Sequence, residues 1–193
     1  PPRSTLFPYT TLFRSPAGLL TARFAWAFIA ASSALFVLAA AMLNPLCLKL
    51  SPVALAVVLF YSWTKRFTAS SHLVLGFALG IAPAAAWIAV TGSLDPSILW
   101  LTAAVTLWTA GFDIIYSCQD FEFDRGAGLH SIPAKLGIAR ALVLARVFHA
   151  AMVACLGALA LSFGAGPLAW SGIAVTAALL AGEQRLGRAD DLS

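Results

Sequence analysis

Long apolar runs fill most of the chain and are separated by short polar breaks. Residues 22–43, 46–63, 73–90, 98–117 and 141–163 approach or exceed the ~18 apolar residues needed to span hydrocarbon, and a sixth run, 167–182, is shorter. Turn chemistry punctuates the sequence at Asn44-Pro45, Ser51-Pro52, Thr91-Gly92, Asp95-Pro96 and Gly164 to Pro167. Runs of this length leave no room for the alternation of half-buried strands. The pattern predicts an all-α fold, a polytopic transmembrane helical bundle of six helices in a single domain.

Composition agrees, with 61% hydrophobic and only 10% charged residues and a mean hydropathy of +0.89, far from the usual soluble mix. Six crossings place alternate connections on opposite faces, and Lys and Arg favour the cytoplasmic one. One face receives Arg23, Lys65, Arg66, Arg125, Lys135, Arg140, Arg185 and Arg188, and the other Lys49. The first is therefore expected to be cytoplasmic. The net charge of +4 then reflects membrane topology, with no basic helix face or soluble domain to receive nucleic acid. Three cysteines, at 47, 118 and 155, have no CxxC spacing, so neither a disulfide framework nor a zinc site is indicated. His72, His130 and His149 are too scattered along the sequence to announce a metal cluster.

Polar chemistry concentrates at the end of the fourth run, in Asp113-Ile-Ile-Tyr116-Ser-Cys-Gln119-Asp120-Phe-Glu122-Phe-Asp124-Arg125. At about 100° per residue, Asp120 falls about 20° to one side of Asp113 and Asp124 about 20° to the other. Glu122 falls on the far side of that wheel, while Tyr116 and Ser117 flank the acidic stripe. Carboxylates at the end of a membrane helix are costly unless paired, hydrated or bound to a cation, and so mark a functional site. Helix parity puts Lys65 and Arg66 on the same membrane edge. The connection from Gln119 to Arg140 contains Gly126, Gly128, Ser131, Pro133 and Gly137. It is long enough to cover a ligand before a helix restarts near Ile138. A calcium loop is excluded, because Arg125 and Ser131 stand where its glycine and glutamate belong.

Asp113-x-x-Tyr116-x-x-Gln119-Asp120-x-Glu122-x-Asp124-Arg125 followed by Gly128 to Pro133 resembles the second aspartate-rich motif of the UbiA-type intramembrane aromatic prenyltransferases. Tyr61-Ser-x-Thr64-Lys65-Arg66 followed by Gly76-x-x-x-Gly80-x-Ala82-Pro83 is similar to the segment joining that family's fourth and fifth helices. Quinone-pathway members that modify 4-hydroxybenzoate or menaquinone-pathway naphthoates look nearest. The resemblance implies about six of the family's usual nine helices, a location in the bacterial inner membrane, a polyprenyl diphosphate donor and an aromatic acceptor. It implies Mg2+ held by Asp120 and Asp124, and diphosphate contacts from Lys65, Arg66 and Arg125. Asp113 and Tyr116 would serve catalysis. Asp113 either orients or deprotonates the phenol or adds another metal-site acid, and the sequence leaves that choice open. A cation-coupled transporter is the alternative reading of an intramembrane Asp, although no repeat of the acidic segment accompanies it.

Two departures accompany the likeness. The family's first acidic motif, of the form NDxxDxxxD, has no counterpart before Pro16. The eleven residues from Thr5 to Ser15 back-translate into a common sequencing-library adapter. Residues 1–15 are therefore expected to be an assembly artefact, with 16–193 a single prenyltransferase domain truncated at both ends. Such a chain is expected to lack prenyl transfer by itself, because only one acidic set is present.

Overall fold

The computed structural model describes residues 21–186, so the expected artefact at 1–15 lies outside the described residues. Six long helices and two short ones form the architecture, with no strand among the described residues. The long helices are α1 (Ala22–Leu43), α2 (Pro45–Thr64), α3 (Ser71–Thr91), α4 (Leu99–Ser117), α7 (Ile138–Ser162) and α8 (Pro167–Leu186). Between α4 and α7 lie α5 (Phe121–Gly126) and α6 (Ile132–Leu136). Each long helix packs chiefly on its neighbours in the order α1, α2, α3, α4, α7, α8, and the most extensive packing joins α4 to α3 and to α7.

Among the described residues five spans are long and apolar enough to cross a membrane, the fourth running through Pro96–Gly126. The sixth expected helix forms, but it continues past residue 182 to Leu186, and it is not among those five. Its last turns carry Glu183, Gln184 and Arg185, which lower its mean hydropathy while still favouring helix. Large apolar side chains such as Trp26, Met42, Val90 and Leu161 are exposed, as expected where hydrocarbon rather than water is the solvent.

Local signals fix the helix ends. The Asn44 side chain accepts from the Leu46 and Cys47 amides at 3.0 and 2.9 Å, capping α2 ahead of Pro45 at its first position. Its Nδ2 also donates to the Ile88 carbonyl at 2.8 Å, tying the α1–α2 corner to the end of α3. Gly92, at φ 70°, closes α3 in the left-handed conformation that glycine adopts without strain. At the opposite end of the bundle, the α2–α3 turn meets the loop between α4 and α7.

Close approach sets the spacing of α3 and α4. A Cβ at Gly76 would stand 2.3 Å from the Thr106 carbonyl oxygen, and one at Gly80 2.1 Å from Thr106 Oγ1 and 2.7 Å from the Thr102 carbonyl oxygen. Two glycines four residues apart thus form a groove that admits the α4 backbone, the small-residue contact on which membrane helices rely. Gly111 plays the same part toward α7, where a Cβ would lie 2.6 Å from the buried His149 ring.

Candidate active site at the loop end of the bundle

The acidic segment does not run as one helix. α4 ends at Ser117, residues Cys118–Asp120 form a 3-10 turn, and α5 begins at Phe121. Three residues at 120° each instead of 100° turn everything after them by about 60° relative to a continuous helical wheel. Asp113 and Asp124 accordingly meet different partners rather than sharing one stripe. Asp124 is fully buried, Asp113 half-buried and Asp120 exposed.

Asp124 turns inward to Lys65 at the C-terminal end of α2. The Lys65 Nζ lies 3.0 Å from Asp124 Oδ2, with side-chain exposures of 36% and 1%. The ammonium stands off the direction of an aligned hydrogen bond, and neither carboxylate oxygen has a hydrogen-bond partner; the contact is an ion pair with unused acceptor capacity. The main chain reinforces it, since His130 N donates to the Lys65 carbonyl at 2.9 Å. Lys65 thus meets the acidic segment as helix parity anticipates.

Asp113 meets His72, in the first turn of α3. The His72 Nδ1 lies 2.6 Å from Asp113 Oδ2, and His72 Nε2 accepts from the Ile132 amide at 3.2 Å. An acceptor nitrogen carries no proton, so the proton of the neutral ring resides on Nδ1 and is donated to the carboxylate. Ser131, fully buried, caps α6 by accepting from the Ala134 amide at 3.3 Å. His72 escaped the sequence reading, which weighed the three histidines as a potential metal set. Its signal was its place at the start of the third span, on the same edge as Asp113. His149 belongs elsewhere, at the α4–α7 interface, where its Nδ1 lies 2.9 Å from Gln184 Nε2.

The remaining candidates surround these two pairs. Arg125 is exposed and stacks its guanidinium 5.4 Å from the centre of the Phe121 ring. Arg66 is exposed, and among the described residues it enters no ion pair. Tyr116 is 56% exposed on α4, and Glu122 is exposed on α5.

Among the described residues no three His, Cys, Asp or Glu groups cluster closely enough to cage a metal. Magnesium does not require such a cage, because one or two carboxylates suffice when water and substrate phosphates complete its shell. The buried Asp124 carboxylate, with both oxygens lacking hydrogen bonds, fits that chemistry, and Asp120 four residues earlier is exposed.

An all-helical membrane bundle with an acidic, lysine-paired loop at one mouth defines an intramembrane protein with a polar site. Residues 11–193 match the UbiA prenyltransferase family. The chain is 34% identical over 135 residues to the 4-hydroxybenzoate solanesyltransferase of Synechocystis sp., covering 69% of this chain and 45% of that relative. It is 31% identical over 176 residues to the 4-hydroxybenzoate octaprenyltransferase of Vibrio cholerae, covering 90% and 61% respectively. The fold superposes on the apo structure of a UbiA homolog from Aeropyrum pernix K1 with a TM-score of 0.81 at 40% identity, over 91% of this chain and 68% of that one. The chain belongs to the UbiA prenyltransferase family. It spans about half the length of the curated relatives it matches.

Proposed function

We propose that the protein transfers a polyprenyl group from a polyprenyl diphosphate to an aromatic quinone precursor, either 4-hydroxybenzoate or a menaquinone-pathway naphthoate. The relatives' names support the reaction, and none of those reported above is a transporter. The observation that carries the reading is the Lys65–Asp124 pair at 3.0 Å. It brings a phosphate-binding cation and a metal-binding carboxylate together at one mouth from segments about sixty residues apart in sequence. The site belongs on the cytoplasmic face of a bacterial inner membrane, in keeping with the positive charge of that edge.

The reaction breaks the bond between the allylic carbon and the diphosphate oxygen, and the electron pair leaves with the diphosphate. A carbon of the electron-rich ring then bonds to the allylic cation, and loss of the ring proton restores aromaticity. Magnesium held by Asp120 and Asp124 would neutralise charge on the departing diphosphate. Lys65 lies where its ammonium can leave Asp124 for a diphosphate oxygen, and Arg66 and Arg125 offer planar, bidentate contacts to the same group. Asp113, which accepts a hydrogen bond from His72, would orient or deprotonate the acceptor phenol. Tyr116, exposed on α4, is a second polar contact for that ring.

The test expresses this chain in membranes beside a longer version in which a segment with a first acidic motif of the NDxxDxxxD form precedes it. Transfer of a labelled prenyl group to 4-hydroxybenzoate and to a dihydroxynaphthoate is then measured with and without magnesium. Magnesium-dependent product is expected from the longer version. Its absence, with both proteins folded and inserted, would overturn the proposal.

A further inference from the structure

His72 satisfies two separate elements with one ring. Its side chain is 2% exposed, its Nδ1 contacts Asp113 Oδ2 at 2.6 Å, and its Nε2 takes the Ile132 amide at 3.2 Å. The Ile132 amide belongs to the first turn of α6, where no intrahelical partner exists for it. Left unpaired in a buried position, that amide would carry the full cost of desolvation. Ile132 also follows Asp124 by eight residues in sequence, within the loop that Lys65 secures through its carbonyl and its ammonium.

We propose that His72 is a positioning residue that sets Asp113 and the Asp124-bearing loop in register with one another. The inference builds on the prenyl-transfer reading, which gives Asp113 its role toward the acceptor. The ring must be neutral and protonated on Nδ1 to do both jobs, because only that tautomer donates to the carboxylate while accepting from Ile132. The donated hydrogen bond occupies Oδ2 of Asp113. The side chain remains 30% exposed, so the carboxylate is available to the acceptor from its open side. A ring of this kind fixes the rotamer of the acid and the seat of the loop at once. Asp113 then need not compete with Asp120 and Asp124 for the cation.

Two substitutions separate positioning from bulk. His72→Phe keeps a flat ring of similar size without either polar atom. His72→Gln retains one donor and one acceptor on a chain of comparable reach. In the 193-residue chain held in detergent micelles, Ile132 amide exchange should quicken at least tenfold in His72→Phe and stay near wild type in His72→Gln. Nitrogen-15 spectra of the wild-type ring should show a protonated Nδ1 and an unprotonated Nε2. In the longer version described above, His72→Phe should lower kcat for acceptor prenylation at least tenfold, with little change in KM for the polyprenyl diphosphate. His72→Gln should recover most of it. On an Asp113→Asn background His72→Phe should cost less than a further twofold, because its action passes through Asp113. Full additivity of the two substitutions, unaltered Ile132 exchange in His72→Phe, or the opposite tautomer would each overturn the proposal. Failure of the prenyl-transfer reading would look different: no product from the unsubstituted longer version, with Ile132 exchange and the ring tautomer still as stated.

Discussion

Removing either partner of the Lys65–Asp124 pair should have unequal effects on stability. Asp124 has 1% side-chain exposure and Lys65 has 36%, so the desolvation falls on the carboxylate. Lys65 is the one cation paired with Asp124 among the described residues, so Lys65→Met leaves a buried charge without that partner. Breaking a fully buried pair costs about 3–5 kcal/mol. Water can reach the flank that Lys65 vacates, which reduces the expected loss to roughly 2–3 kcal/mol. Asp124→Asn leaves a neutral amide of the same shape and a lysine that turns to solvent, for a loss of about 1 kcal/mol or less. The double substitution should then resemble Asp124→Asn alone, giving a coupling of about 2–3 kcal/mol between the sites, the whole of the Lys65→Met loss. The assay is unfolding from mixed micelles as the fraction of denaturing detergent rises, followed by helical circular dichroism for all four proteins. Equal losses for the two single substitutions, or simple additivity in the double, would refute the assignment of a buried, cation-dependent carboxylate at 124.

Two further outcomes follow from other contacts. In the longer version, Asp120→Asn should depress magnesium-dependent prenyl transfer by about a hundredfold or more, as removal of a charge-stabilising group does elsewhere, while Glu122→Gln should change it less than threefold; equal losses would sink the separation of the two acids. Gly76→Ala places a Cβ 2.3 Å from the Thr106 carbonyl oxygen, so α3 and α4 must part; a loss of about 1–3 kcal/mol is expected in the same unfolding assay, and wild-type stability would show that the groove is not tight.

Much of this arrangement is legible in the sequence because membrane helices leave few choices. Once six apolar runs and one charge-rich edge are recognised, Lys65 and Asp124 must emerge on the same side, and they meet at 3.0 Å. The restart of a helix near Ile138 is likewise visible in Gly137, and α7 begins at Ile138. The break after Ser117 is not visible, because Cys118-Gln119-Asp120 contains no glycine or proline to announce a 3-10 turn. The ties of the loop to α2 and α3 accompany that turn, and they depend on residues distant in sequence. His72 was hidden for the same reason. A histidine's partners lie across the bundle, forty-one residues away at Asp113 and sixty away at Ile132, and no local spacing encodes them.

The glycine groove of α3 reaches beyond the place where the helices touch. His72 stands four residues before Gly76, and Asp113 seven residues after Thr106, so the buried contact and the polar contact are rungs on the same two ladders. At about 1.5 Å of rise per residue, the groove lies some 6–10 Å deeper in the membrane than the acid it serves. A slip of α3 along α4 by two residues, about 3 Å, would lengthen the 2.6 Å His72–Asp113 contact to about 4 Å, past hydrogen-bonding range. The axial placement of the Asp113 carboxylate is thus settled inside the hydrocarbon, by two positions whose contribution is the absence of a side chain.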